Sequence, residues 1–328
     1  MSYPEYPRQD PYGRPYPGRP DAWGATQPGP IPLRPLTVGE ILGTAVTVLR
    51  RSLAPLVLTA LVVGVLSAAV TVGVLAAAGT LQAYAEATWL EDVLRGGTSI
   101  PASILVSALA GLIVSVTGAQ VVAGVATVYA GALAQGRDGR GELAGRLRGR
   151  WPALLAVAVV VGVLVSLGLM LLVVPGVLAY LVLALAASVV AMERSGLSDS
   201  LRRSAALSRG HRARIFGALA LALLISTVGG AIVTTVLGSL FGQHDAVTTL
   251  LITQGVGAVV GAFTGAWTGA VVALLYIDVR IRTERLDYAL RLAADLDRHR
   301  RTGSGGPGDA PAGPEAGPAG LTPPPPAG

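Results

Sequence analysis

The residues able to do chemistry are few and scattered along the chain. The sequence has three histidines, His211, His244 and His299, and no cysteine. His244 is followed by Asp245, but one such pair falls short of the three or four converging ligands that a metal site needs. We therefore predict no catalytic residue, no metal site and no bound cofactor, and we expect a protein that is not an enzyme.

Long apolar runs dominate the rest of the chain, and none of them contains an ionisable group of the kind that marks many pumps and transporters. Their most polar side chains are Gln120, Gln254, Tyr129 and Tyr180. The two glutamines have two interpretations: a substrate contact in a polar cleft, or an interhelical hydrogen bond worth about 1 kcal/mol. A polar cleft would favour transport, whereas a closed, dry bundle would favour a scaffold.

Composition indicates a membrane protein. Of the 328 residues, 52% are hydrophobic and 13% are charged, and the mean hydropathy is +0.60. A soluble domain carries about 25% charged residues. The net charge is +6, and all 25 basic residues are arginines. Because these arginines flank the apolar runs, we expect them to meet the membrane surface rather than nucleic acid.

Six apolar segments are long enough to cross a bilayer, which takes about 20 helical residues. The charge-free run from Trp151 to Met192 would be about 60 Å long as one helix, so it must fold back at Val174-Pro175-Gly176. The sequence predicts an all-α, polytopic membrane protein with six transmembrane helices, arranged as three hairpins that each follow an interfacial amphipathic stretch. The predicted spans are about 56–80, 102–134, 152–173, 176–192, 215–241 and 247–277, and whether the short fourth span crosses completely is left open.

The regions outside the spans divide into tails and surface helices. Residues 1–35 are rich in proline and tyrosine and are predicted to be a disordered tail. Thr37 and Glu40 have the spacing of a capping box and begin the first amphipathic stretch. The transmembrane domain occupies 36–301, with a C-terminal amphipathic helix over 278–301, and residues 302–328 form a Gly/Pro-rich disordered tail.

The sixth span contains small residues at every fourth position. In a helix such residues share one side, and small-xxx-small rows let helix backbones approach closely in a membrane. The sequence therefore predicts a helix-packing ridge, which comprises Gly257, Gly261, Gly265 and Gly269.

Arginines are concentrated in alternate connections between the spans. By the positive-inside rule these connections are cytoplasmic, so that both termini lie in the cytoplasm and the protein resides in the plasma membrane. Arginine pairs precede each odd-numbered span, where a planar guanidinium suits lipid phosphates, although orientation alone would also explain them. The residues predicted to contact lipid head groups are Arg50, Arg51, Arg148, Arg150, Arg212 and Arg214.

Short motifs distributed over about residues 34–280 resemble a known group of membrane proteins. They are the run from Arg34 to Leu42 entering the first span through Arg50-Arg51-Ser52, the turn at Pro175 followed by Glu193, and Leu201-Arg202-Arg203-Ser204. The chain resembles actinobacterial six-helix integral membrane proteins of unknown function. It is also similar to the membrane region associated with some glycerophosphodiester phosphodiesterases. The resemblance implies six plasma-membrane helices and no catalytic residues.

Three functions are compatible with these features. The first is a non-enzymatic scaffold or accessory subunit that contacts anionic lipid and packs on a second copy or on other membrane proteins. The second is a transporter of a small molecule or lipid, with a polar cleft between helix hairpins. The third is a membrane-embedded lipid enzyme. We expect membrane lipids, but no nucleic acid, among the partners.

Overall fold

The protein is described by a computed structural model over residues 29–96, 100–137, 139, 141–241 and 244–284, with the backbone alone at 144. Every regular element in these ranges is an α-helix. The helices are α1 Val38–Arg51, α2 Leu53–Ala77, α3 Leu81–Ala85, α4 Thr88–Leu94, α5 Ala102–Ala134, α6 Glu142–Leu147, α7 Trp151–Leu171, α8 Val173–Leu183, α9 Ala186–Glu193, α10 Leu197–Ser208, α11 Arg212–Ser239 and α12 Ala246–Glu284.

Within the described ranges, six helical segments are long and apolar enough to cross a membrane: α2, α5, α7, α8 with α9, α11 and α12. They pair as three hairpins, and α1, α6 and α10 precede the three pairs as the sequence predicts. We call the end of the bundle that carries α1, α6 and α10 the arginine-rich end. The opposite end carries α3, α4 and the turn between α11 and α12.

The hairpin of α7 and α8 turns within one residue, Leu172, whose backbone is extended at φ −153° and ψ 121°. Pro175 follows in the first turn of α8, where its missing N–H breaks no helical hydrogen bond. A Cβ atom on Gly168 would lie 2.9 Å from the Cα of Gly176, and a Cβ on Gly176 would overlap the backbone of Leu169. The turn predicted at Val174-Pro175-Gly176 is thus found two residues earlier, and it depends on glycine on both helices.

The fourth crossing is interrupted at Ala184 and Leu185, between α8 and α9. Serines of α10 supply hydrogen bonds to the carbonyl groups just before this interruption. Ser204 Oγ donates to Val182 O at 2.8 Å, and Ser208 Oγ donates to Leu181 O at 3.2 Å. In a membrane such backbone groups must find partners inside the protein. The surface helix α10 therefore faces the bundle with serines.

Helix α5 lies at the centre and packs against α2, α7, α9 and α12. Its small residues allow close contacts on several sides. Ser115 Oγ lies 2.9 Å from Ser67 Oγ of α2, and Thr127 Oγ1 lies 2.8 Å from Ser188 Oγ of α9. The first hydroxyl pair joins the two helices of the first hairpin, and the second joins α5 to the second hairpin.

A strap of residues 29–36 crosses the arginine-rich end ahead of α1. Its alternate side chains Ile31 and Leu33 are 0% and 3% exposed, and a Cβ on Gly29 would overlap the carbonyl oxygen of Leu133. The prediction that the disordered tail extends to residue 35 is therefore wrong over 29–35. Prolines at positions 30, 32 and 35 resemble those of the tail, but the segment follows a bent path that buries Ile31, Leu33 and Leu36.

Helix α12 continues without a break through the predicted boundary between span and surface helix at residue 277, as far as Glu284. Asp278 and Val279 are 0% exposed, so this part of the predicted surface helix 278–301 belongs to the packed bundle. The rest of that helix, both predicted tails over 1–28 and 302–328, and His299 lie outside the described residues.

Candidate intramembrane binding cleft

Two rows of small residues run side by side along α12, and they have different neighbours. The alanine row, Ala258, Ala262, Ala266 and Ala270, is buried. It faces the first hairpin: a Cβ on Gly64 of α2 would come within 3.2–3.4 Å of Ala258. The alanine row is therefore the side of α12 on which the bundle closes.

The predicted packing ridge is the neighbouring glycine row, and within the chain it packs tightly at one end only. A Cβ on Gly269 would lie 2.7 Å from Val122 Cγ1 of α5, and one on Gly265 would lie 3.7 Å from Ala60 Cβ. Among the described residues, no atom lies within 4 Å of a Cβ placed on Gly257 or Gly261. The first two glycines of the ridge thus border open space.

Helix α11 faces this space with its own row of small residues. Over its second half, the half-buried positions recur every four residues, and the positions between them are exposed. The row is Ser226, Gly230, Thr234 and Gly238. It meets α12 where Ser226 Oγ lies 3.2 Å from Thr268 Oγ1 and where a Cβ on Gly230 would lie 3.7 Å from Val260 Cγ1.

The two rows enclose a cleft of about 470 Å³. The residues that line it include six with a hydroxyl group: Ser226, Thr227, Thr234, Thr264, Thr268 and Tyr180. Thr227 and Gly261 are exposed on the surface of the bundle, so the cleft opens sideways toward the bilayer. Its volume lies within the roughly 300–1,000 Å³ that is usual for sites that bind small molecules.

A second cavity of about 400 Å³ adjoins the cleft and lies between α5, α7, α8 and α11. Its walls are almost entirely apolar, with Leu112, Val116, Leu169 and Phe216 among them. Tyr180 and Thr268, with Ala119 and Leu223, line both cavities. A polar compartment and an apolar compartment are therefore contiguous within the predicted membrane depth.

Toward the end opposite the arginines, a third cavity of about 280 Å³ continues from the cleft through the shared residue Thr234. His244 and Thr249 line it, beside the turn between α11 and α12. Asp245 caps α12 in this turn: its carboxylate accepts hydrogen bonds from the backbone N–H of Thr248 at 3.0 Å and from the hydroxyl of Thr248 at 2.6 Å. These bonds, the hydroxyl first, lower the pKa of Asp245.

At the arginine-rich end the two walls of the cleft are fastened together. The carboxylate of Asp278 is fully buried and accepts hydrogen bonds from Leu36 N at 2.8 Å, Arg214 Nε at 2.8 Å and Arg282 Nε at 3.0 Å. Both arginines also donate to the carbonyl oxygen of Leu36. We call these four residues the Asp278 clamp, and they join the strap, the start of α11 and the end of α12.

A second ionic cluster fixes the same end of α12 to α9 and α10. Glu193 accepts hydrogen bonds from Arg203 Nε and from the hydroxyl of Tyr276, each at 3.0 Å. Arg280 donates to Tyr276 at 3.0 Å and to Glu284 at 2.8 Å, and Arg203 pairs with Glu284 as well. With the Asp278 clamp, this cluster ties the cleft shut at one end only.

The six arginines predicted to contact lipid differ in what they contact. Arg214 belongs to the Asp278 clamp, and Arg150 donates to the carbonyl oxygen of Arg194. The other four have exposed side chains with no partner among the described residues: Arg50, Arg51, Arg148 and Arg212. Contact of these residues with lipid stays a prediction.

Neither glutamine that the sequence singles out lines the cleft. Gln120 is 2% exposed in α5, and its Oε1 has no hydrogen-bond partner among the described residues, while Gln254 is half-buried on α12. His211 lies at the start of α11, where its Nδ1 is 3.2 Å from the carbonyl oxygen of Arg209. The polar lining comes instead from hydroxyls.

The small row of α11 was not predicted, although its pattern is present in the sequence. Stepping by four from Ser226 gives Gly230, Thr234 and Gly238, the same pattern that identifies the glycine row of α12. Two such rows on consecutive antiparallel helices predict that the helices face each other, but not whether they touch.

Comparison of the chain with protein-family models, with curated proteins and with solved structures gave no match.

Proposed function

We propose that this integral membrane protein binds an amphipathic molecule of the bilayer in the cleft between α11 and α12, and that it carries or presents this molecule without changing it chemically. One observation supports the proposal above others: a hydroxyl-lined cleft and an apolar cavity adjoin at Tyr180. An amphiphile has the same division into a polar and an apolar part. This is the transport hypothesis of the sequence analysis, with a site located between helices of one hairpin.

The placement of the cleft agrees with this function. It opens sideways on the bundle, where a lipid has direct access from the bilayer. Its walls are joined at the arginine-rich end by the Asp278 clamp, whereas over the second half of α11 only the positions of its small row are half-buried among the described residues. We propose that the arginine-rich end lies on the cytoplasmic side of the plasma membrane. The ligand would then enter the cleft from the outer side.

The test is to fill the cleft and measure what the purified protein retains. A Cβ atom on Gly261 would have no neighbour within 4 Å among the described residues, so Gly261→Leu is expected to fold and to fill part of the cleft. Gly255→Leu is the matched control, because it is the same substitution on the same helix at an exposed glycine that does not line the cleft.

Both variants and the wild type are purified in mild detergent, and bound lipids are identified by native mass spectrometry. We expect the wild type and Gly255→Leu to retain a lipid that Gly261→Leu has lost, with similar thermal stability for all three. Equal retention by Gly261→Leu and Gly255→Leu would contradict binding in the cleft.

A second candidate function is a scaffold that contacts anionic lipid and packs on a second copy or on another membrane protein. It is favoured by the four exposed arginines that have no partner among the described residues. Replacing Arg50, Arg51, Arg148 and Arg212 with lysine keeps the charge but removes the bidentate geometry that suits phosphate. Lower co-purification of anionic phospholipid with this variant would support the contact, and unchanged co-purification would leave these arginines a role in orientation alone.

A further inference from the structure

We infer that the molecule held in the cleft has an uncharged head group rich in hydroxyl or carbonyl oxygens, as in a diacylglycerol, rather than a phosphate or carboxylate. This inference rests on the proposed function, since it assigns a chemical class to the same site. Two observations support it: hydroxyl groups line the cleft, and no charged side chain does so among the described residues.

The hydroxyls that line the cleft differ in what they already bind. Thr268 Oγ1 donates to Thr264 O at 2.8 Å and lies near Ser226. Within the described part of the chain, the hydroxyls of Tyr180, Thr227 and Thr234 have no hydrogen-bond partner. A hydroxyl both donates and accepts, and it is costly to leave without a partner in an apolar medium. These three groups are therefore available to oxygens of a neutral ligand.

No Asp, Glu, Lys, Arg or His is found among the described residues that line the cleft or the apolar cavity. An ion held at this depth needs a countercharge, because neutral dipoles do not replace its hydration. The arginine of α11 that lies deepest, Arg214, is twelve residues from Ser226, about 18 Å along a helix. It is also already bound to Asp278. A lipid phosphate beside Ser226 would therefore have no arginine within reach, and His244 lines the third cavity beyond Thr234 rather than the cleft itself.

The apolar cavity accounts for the remainder of the ligand. At about 400 Å³ it is comparable in size with the cleft, and Tyr180 stands between the two. A molecule with one end in each compartment places its ester or hydroxyl oxygens at Tyr180 and its hydrocarbon between α5, α7 and α8. This arrangement suits an amphiphile with a small, neutral head.

Two light-activated probes test the inference on the full-length protein in phosphatidylcholine nanodiscs. One is a diacylglycerol with a diazirine in an acyl chain, and the other is a phosphatidic acid with the same chains. Labelled peptides are mapped by mass spectrometry in the wild type and in four variants: Gly261→Leu, Gly255→Leu, Thr227→Val and Thr234→Val.

We expect the diacylglycerol probe, whose diazirine is in the acyl chain, to label peptides of α5, α7 and α8 around the apolar cavity, and the phosphatidic acid probe to spare them. Gly261→Leu should abolish this labelling, and Gly255→Leu should preserve it. Each threonine-to-valine change removes a hydroxyl at nearly constant volume, and the loss of one net hydrogen bond should weaken competition by unlabelled diacylglycerol about fivefold.

The outcomes separate this inference from the proposed function. Phosphatidic acid labelling of the same peptides, lost in Gly261→Leu but not in Gly255→Leu, would overturn the neutral head group and keep the cleft as a lipid site. Wild-type affinity in both valine variants would also overturn recognition through hydroxyls. Labelling of these peptides by neither probe above the level in Gly261→Leu would overturn both proposals.

Discussion

The Asp278 clamp provides the sharpest test of how the bundle is held together. Its carboxylate is fully buried, and three donors within 3.0 Å surround it. Asp278→Asn keeps the shape of the side chain and an oxygen for Leu36 N–H. It removes the negative charge, so Arg214 and Arg282 lose the countercharge that offsets their burial. Breaking a buried ion pair in this way costs about 3–5 kcal/mol.

The exposed pair of Arg95 and Glu91 serves as the control. The nitrogen–oxygen distance in this pair is 3.0 Å, and the distances from Arg214 and Arg282 to Asp278 are 2.8 and 3.0 Å. The side chains of Arg95 and Glu91, however, are 74% and 60% exposed. Glu91→Gln should therefore change stability by less than about 1 kcal/mol, as is usual for surface pairs. The contrast isolates burial, because the geometry of the two pairs is similar.

The assay is reversible unfolding in mixed micelles of dodecyl maltoside and SDS, followed by circular dichroism. We expect the free energy of unfolding to fall by about 3 kcal/mol or more in Asp278→Asn. Arg214→Gln should weaken the same contacts, so the double variant should cost less than the two single variants added together, with a coupling of at least about 1 kcal/mol. A loss below about 1 kcal/mol in Asp278→Asn, or strict additivity, would refute the clamp.

Three further predictions address packing, pH and topology. Gly269→Ala should destabilise the protein by about 1–3 kcal/mol because its Cβ meets Val122. Gly261→Ala should be neutral or stabilising by up to about 1 kcal/mol. If the same unfolding assay gave the reverse order, the close packing at Gly269 and the open space at Gly261 would both be contradicted. The hydrogen bond from the Thr37 N–H and, to a smaller extent, the one from Arg34 lower the pKa of Glu40 from 4.5 to about 2. Its carboxylate therefore stabilises α1 fully above about pH 4.5 and progressively less as the pH falls toward 2, so the stability difference between wild type and Glu40→Gln should disappear over that range. A reporter active only outside the cytoplasm should work when fused at Glu91 but not at Ser198, and activity at Ser198 would show that α8 and α9 do not cross.

Much of the fold follows from the sequence because membranes impose simple requirements. Charge-free runs of bilayer length set the spans, and the predicted 102–134 coincides with α5. The interruption at Ala184 and Leu185 was not predicted, since neither residue is a glycine or proline. It is stabilised instead by serines of α10, which are distant in the sequence and have no local signature.

The candidate site was less predictable for a related reason. The glycine row of α12 shows which residues are small, but the neighbouring alanine row is equally regular and is the one buried. Which row packs depends on where α2 and α5 lie, and that is a property of the whole bundle. Likewise, Ile31 and Leu33 look like part of a proline-rich tail until the surface that buries them is present.

The Asp278 clamp also has a consequence for biosynthesis. Leu36 and Asp278 are separated by 242 positions, so the strap leaves the ribosome long before its partners are made. At about 5–20 residues per second, translation between them takes roughly 12–50 seconds. During that interval the strap lacks the carboxylate that its Leu36 N–H binds in the folded protein. Closure of the clamp can therefore report that all six spans have been inserted, since a chain that stops before α12 has no Asp278 to bind the strap.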